Sequence, residues 1–183
     1  MGDWLAENDP PKEEDFYIVD SSSIIDIFRH YDQSTFGGLW KDIDKLIKSG
    51  RFISHMEVFG ELSEGGTNPD SAWLKAHKEL FAEHTVRQAE IIRDLQKRFK
   101  TRTNYRKVLV ASEKADYHAD PWLLALATEL QEAKRQKTIH GTKSKKYFIV
   151  AEDAGITELA TKELGMNCLK KNDLFKKEGW TYP

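Results

Sequence analysis

The chain has 183 residues, 39% of them hydrophobic and 32% charged, with a formal net charge of -2 at pH 7. That length suits one domain with a substantial core, and the composition is that of a soluble globular protein rather than a collagen, a coiled coil or a wholly disordered chain. The near-balanced charge excludes a uniformly basic nucleic-acid binder, though not one whose basic residues are concentrated locally.

Residues 1–15, MGDWLAENDPPKEED, hold six acids against one lysine, include Pro10 and Pro11, and read as a flexible acidic arm ahead of a single domain over 16–183. Neither a signal-length apolar run nor the roughly 18 to 20 apolar residues of a membrane span occurs, so a cytoplasmic protein with no membrane partner is expected. Cys168 is the only cysteine, which rules out an intramolecular disulfide and favours a buried, inert thiol over a nucleophile.

The run Phe16 to Val19, closed by Asp20, is apolar and too short for a helix, so it predicts a buried strand. Ile24, Ile25, Ile27 and Phe28 then make a helical stripe, and Gly37 and Gly38 break the chain. A helix over 39–49 puts Leu39, Ile43, Leu46 and Ile47 on one face and ends at Gly50. Strand 51–54 follows, and Ser54 with Glu57 has the spacing of a capping box opening a helix that runs to about Glu64. From Asn68 to Thr101 there is no strand signal, and Trp73, Leu74, Leu80, Ile91, Leu95 and Phe99 recur at helical spacing, predicting one long helix or two shorter ones within an insertion at about 68–107. Around Ala115 to Gln131 an amphipathic helix is expected to begin at Asp120 and Pro121, with Trp122, Leu123, Leu126 and Leu130 inward. A strand over 146–151, a helix over 156–164, a short strand over 167–169 and a last helix capped by Asn172 complete the chain. Strands alternating with helices define an α/β fold with a central parallel sheet.

Asp20, Glu57, Asp120 and Asp153 stand where apolar runs end or helices begin. In open α/β sheets ligands bind beyond the carboxyl ends of the strands, so acids distant in sequence can meet in one crevice, where a divalent cation offsets their repulsion. Each acid taken singly has a structural explanation. Glu57 completes the capping box, Asp120 is a good N-cap before Pro121, and Asp153 precedes a helix whose positive end favours an anion. Asp20 is the exception, because an aspartate closing an apolar strand is costly to bury without a cation or a donor. Ser21, Ser22 and Ser23 follow it as helix-capping hydroxyls, and Ser21 or Ser22 is placed to reach the outer shell of a bound ion. Asp116 shares the Asp120 face if that helix starts early, although a solvated charge is its plainer reading.

These segments together resemble PIN-domain proteins. YIVDSSSII at 17–25 is similar to that family's opening strand, ISHMEVFGEL at 53–62 to its helix-borne glutamate taken at Glu57, ADPWLLALA at 119–127 to its central aspartate, and FIVAED at 148–153 to its last acidic strand end. Ala151 and Glu152 depart from the threonine or serine common before that final acid. The resemblance implies a three-layer α/β/α fold with a helical insertion, an acidic pocket of Asp20, Glu57, Asp120 and Asp153 that binds Mg2+ or Mn2+, and metal-dependent endoribonuclease activity on RNA. It also implies, from family habit, a toxin of a toxin-antitoxin pair with an antitoxin protein as partner, and homodimerisation. The segment between Glu57 and Asp120 is longer than in the smallest toxins.

Two basic stretches suit a phosphate backbone. One follows the insertion helix and includes Arg98, Lys100 and Arg102, and the other includes Lys143, Lys145 and Lys146. Solvated helix faces and a lysine-rich loop explain them equally well. The six histidines form no compact metal-ligand spacing, and no glycine-rich phosphate loop occurs. Two rival readings stand beside the nuclease. One is a non-catalytic nucleic-acid-binding or protein-interaction module of the same fold. The other, a phosphatase with Asp20 as nucleophile, calls for a second acid at position 22, where Ser22 stands.

Overall fold

In a computed structural model of the protein, residues 14–64, 71–110, 117–137 and 145–181 are described, the side chains of 136 and 137 excepted. The chain folds into five parallel strands flanked by helices, a three-layer α/β/α arrangement. The strands are β1 (Glu14–Val19), β2 (Phe52–His55), β3 (Phe81–Ala82), β4 (Lys145–Val150) and β5 (Asn167–Leu169), in the spatial order β3-β2-β1-β4-β5. The last four residues of each central strand, Phe16–Val19 and Tyr147–Val150, are apolar and buried because that pair is covered on both faces. Tyr17, Ile18 and Val19 of β1 are fully buried, as are Ile149 and Val150 of β4, and each apolar side chain so buried contributes about 1.5–3 kcal/mol.

The register of that pair sets the geometry of everything at the sheet's carboxyl edge. β1 and β4 pair from Glu14 with Lys145 to Val19 with Val150, and the Asp20 amide extends the ladder by donating to the Val150 carbonyl at 2.9 Å. The two strands therefore end level. The chain builds β1, β2 and β3 outward to one side, then returns to place β4 and β5 on the other, so the strand order reverses between β1 and β4.

The helices are α1 (Ser21–His30), α2 (Gly37–Lys48), α3 (Met56–Glu64), α4 (Ser71–Ala76), α5 (Val86–Arg98), α6 (Arg106–Leu109), α7 (Ala119–Lys137), α8 (Ala154–Glu158) and α9 (Lys171–Lys177). α7 packs on β1, β2 and β4 and also against α5. α2 ends where Gly50 takes a left-handed backbone, φ 69°, which a side chain would strain. At the other end of the sheet Glu178, just past α9, accepts hydrogen bonds from the Tyr17 hydroxyl and Arg51 Nη2, each at 2.5 Å, and so ties the C-terminal helix to the central strand. Among the described residues, no helix is long and apolar enough to cross a membrane.

Several local expectations need correction. The acidic arm was bounded at residue 15, but Glu14 and Asp15 belong to β1, and residues 1–13 lie outside the described part. The insertion is not purely helical, since Phe81 and Ala82 pair with Ser54 and His55 as an edge strand. Ser54 and Glu57 form no capping box. The Ser54 hydroxyl donates to the Val19 carbonyl at 2.7 Å, and the Glu57 amide is taken by His55 Nδ1 at 3.1 Å. The capping box lies instead at Thr85 and Gln88, which open α5. Asp120 lies inside the first turn of α7 rather than capping it, and Asn172 lies inside α9, whose cap position is Lys170. The helix expected over 156–164 starts at Ala154 and passes into a π-helical turn over Leu159–Glu163.

Candidate functional site

Asp20 stands at the end of β1 as the N-cap of α1, only 3% exposed. Its Oδ2 accepts from the Ser22 amide at 3.2 Å and the Ser22 hydroxyl at 2.5 Å. Ser22 Oγ in turn accepts from the Glu152 amide at 3.1 Å, which pins the first turn of α1 to the end of β4. Burial raises the Asp20 carboxyl above the ordinary carboxylate range, Ser22 opposes that shift, and the charge of Glu61 adds to it. Ser23, fully buried behind, finds no partner for its hydroxyl among the described residues.

Asp120 feels the same conflict more strongly. Its carboxyl is pushed up to about 8, first by burial and then by the charges of Asp20, Asp153 and Glu61. Asp153 caps α8, with Oδ1 accepting from the Gly155 amide at 2.6 Å and the Ile156 amide at 3.3 Å. Four segments thus send carboxylates to the place where the strand order reverses, the position at which open α/β sheets hold their ligands.

The glutamate of this group is Glu61. Its Oε2 accepts from the Ser21 hydroxyl at 2.6 Å and its Oε1 from the Ala119 amide at 2.9 Å, and its charge acts on both Asp20 and Asp120. Glu57, the residue singled out in the sequence, faces elsewhere. Its Oε1 lies 2.8 Å from His84 Nε2, and its Oε2 accepts from the His118 amide at 3.3 Å. The two glutamates sit one helical turn apart on a shared face, so spacing alone does not choose between them. Of the residues expected around the acids, Ser21 and Ser22 are in contact with them as described, and Asp116 lies outside the described residues.

Beside the carboxylates lies an aromatic cluster of which the sequence marks His55, by its nearness to Glu57, but not His84. His55, fully buried at the end of β2, stacks on Trp122 with ring centres 5.2 Å apart. Its Nδ1 accepts from the Glu57 amide, so its proton sits on Nε2, 3.2 Å from Gln88 Oε1. Burial pushes its pKa down to about 4. His84 meets both rings edge-on, at 4.7 Å from His55 and 4.5 Å from Trp122. The available signal was modest: His55 precedes Glu57 by two residues, and Trp122 follows Asp120 by two.

The basic residues are not at this edge. Lys145 and Lys146 begin β4, so about 20 Å of strand separates them from its acidic end. Arg98 ends α5, whose start follows the carboxyl end of β3, and it donates to the Glu163 carbonyl at 3.3 Å. Arg102 pairs with the Glu163 carboxylate at 3.4 Å. Lys100 is exposed between these two, and Lys143 lies outside the described residues. A cation at the acidic edge is Lys170, which follows β5 and donates to the Glu152 carbonyl at 2.9 Å.

The donor set is all oxygen, as hard divalent cations such as Mg2+ or Mn2+ require, and the mutual repulsion of the acids is what such an ion would relieve. Among the described residues, no three His, Cys, Asp or Glu side chains are placed to hold one ion together. The fit is one of donor chemistry.

Fold and site together define an α/β protein with a cluster of carboxylates at the reversal of a five-stranded parallel sheet. A family model described as "Domain of unknown function (DUF4411)" matches residues 17–182, and the chain belongs to that family. No curated protein and no solved structure matches the chain.

Proposed function

We propose that the protein is a metal-dependent endoribonuclease of PIN type, hydrolysing RNA phosphodiester bonds at the cleft formed by Asp20, Glu61, Asp120 and Asp153. The observation that carries this reading is the convergence of four carboxylates from four separate segments on one end of the β1–β4 pair, at the cost of an Asp120 carboxyl pushed up to about 8. Natural chains retain such a conflict where function uses it. A bound divalent ion would supply charge neutralisation at the scissile phosphate. Asp20 with Asp120 or Asp153 would hold the ion directly, and Glu61 would accept hydrogen bonds from waters around it. Ser22 fixes the Asp20 carboxylate, and Ser21 with the Ala119 amide fixes Glu61, so both acids keep their orientation as substrate enters.

The test is incubation of wild-type and Asp20→Asn protein with a mixed single-stranded and structured RNA pool in Mn2+, Mg2+ or EDTA, with cleaved ends read by sequencing. Discrete ends are expected in wild type with metal and in neither the variant nor EDTA. A rise in melting temperature with Mn2+ that Asp120→Asn loses gives a readout independent of turnover. A second reading, a non-catalytic RNA- or protein-binding module, draws on the separation of the basic residues from the acids. RNA binding by a folded, metal-stabilised wild-type protein that cuts nothing in the pool would favour it.

A further inference from the structure

We propose that His84, held by Glu57, gives the proton to the leaving oxygen of the cleaved phosphodiester, making it a catalytic residue outside the carboxylate set. This rests on the nuclease reading above. Glu57 binds His84 Nε2 with one oxygen and the His118 amide with the other, while the next amide, Ala119, binds Glu61. The amides of His118 and Ala119, consecutive in the chain, thus connect the carboxylate that orients His84 to one of the acidic cluster. The Asp120 side chain follows immediately.

His84 has what a proton donor at that place needs. Its side chain is 43% exposed against 18% for Glu57, so the ring reaches solvent while its partner is sheltered. With Nε2 committed to Glu57, Nδ1 has no hydrogen bond among the described residues and remains for substrate. The ring lies edge-on against the stacked pair of His55 and Trp122, and the next residue, Thr85, is the locked cap of α5. Thr85 Oγ1 also donates to Glu129 of α7 at 2.9 Å. An ordinary surface ion pair has none of this support. The charged or titratable groups around the ring are Glu57 from α3, His55 from β2, Glu129 from α7 and the adjoining Glu83; of these His55 stays neutral, its proton directed to Gln88.

The step balances without a further reactant. Water attacks phosphorus, the bond from phosphorus to the leaving ribose oxygen breaks, and that oxygen takes the proton from His84 Nδ1 as the alcohol departs. The attacking water releases one proton to solvent, and the neutral imidazole regains one from solvent.

The experiment compares wild type, His84→Gln and Glu57→Gln on an RNA oligonucleotide and on a nucleoside 5′-phosphate 4-nitrophenyl diester, whose leaving group departs without a proton. His84→Gln should slow RNA cleavage by about 100- to 10,000-fold, the usual span for a lost general acid, with the nitrophenyl diester slowed no more than a few-fold. Glu57→Gln should show the same substrate dependence to a lesser degree, in kcat rather than KM. Melting curves and RNA binding by fluorescence anisotropy should stay close to wild type for His84→Gln. Equal slowing of both substrates, or of neither, would overturn the assignment while leaving the nuclease in place. A wild-type protein inert on both substrates would take the nuclease reading and this assignment down together.

Discussion

Asp120 and His55 sit on opposite sides of one pH problem. The Asp120 carboxyl, pushed up to about 8 by burial and by Asp20, Asp153 and Glu61, keeps its proton in the folded chain where the unfolded chain has already released it near the ordinary aspartate value of 3.8. The unfolded state then binds fewer protons, so stability falls as pH rises from about 4 to about 8, by roughly 1 kcal/mol per unit at most, and levels off above. His55 does the reverse. Its folded pKa of about 4 lies below the ordinary histidine value of 6.5, so the unfolded state binds more protons between those values, and stability is lost as pH falls through that window. Urea midpoints measured from pH 4.5 to 8.5 should therefore show two compensating slopes below pH 6.5 and a net decline above it. Asp120→Asn should flatten the upper branch and leave a rise below pH 6.5. His55→Gln should leave a continuous decline, and parallel slopes in all three proteins would refute the assignment of these groups.

At the scale of elements, α3 and the start of α7 are fitted to each other through a missing side chain. A Cβ on Gly60 would lie 2.2 Å from the Tyr117 ring, too close for either to stay. Tyr117 immediately precedes the two amides that hold Glu57 and Glu61. Gly60→Ala should gain about 1 kcal/mol of helix propensity and lose about 1–3 kcal/mol to overpacking, for a small net fall in thermal stability, yet should cut activity sharply because the amides move with the ring. Paired melting and cleavage assays check this, and full activity with unchanged stability would show that the ring is free to swing away. The same junction marks how far the sequence could be read. The apolar runs of β1 and β4, the stripe of α2 and the end at Gly50 were legible because burial on both faces and a left-handed helix end leave direct composition signals. Asp20 and Asp153 stand out in the sequence by their positions after such runs, and Asp120 by its place at the start of a helix. Glu61 was missed because Glu57 occupies the same helical face, and only tertiary hydrogen bonds decide which of the two turns toward Asp20. β3 was missed because two residues carry no periodicity, and His84 because its partner lies 27 residues away.

Across the whole molecule, the clustered acids and the basic stretches stand toward opposite ends of the strands. Asp20, Glu61, Asp120 and Asp153 occupy the carboxyl edge, where Lys170 also lies, and Lys145, Lys146, Arg98 and Arg102 stand toward the amino edge. A periodic sequence pattern says which residues share a face but not which end of the sheet they reach, so the basic stretches were visible and their remoteness was not. Replacing Arg98 and Lys145 by glutamine should weaken RNA binding, with a smaller salt dependence of the binding constant, and should leave kcat unchanged. A matching fall in kcat would place these residues nearer the chemistry than their strands put them.

The register that levels β1 with β4 also has a consequence in time. Glu14 pairs with Lys145 and Val19 with Val150, so the first strand of the sheet waits for the fourth, and such long-range pairing is slow to form. A growing polypeptide that has already made Asp20, Glu61 and Asp120 still lacks Asp153 and the strand that presents it. On the proposed reading each molecule is therefore inert through most of its own synthesis, and its acidic cluster is completed as one of the last acts of folding.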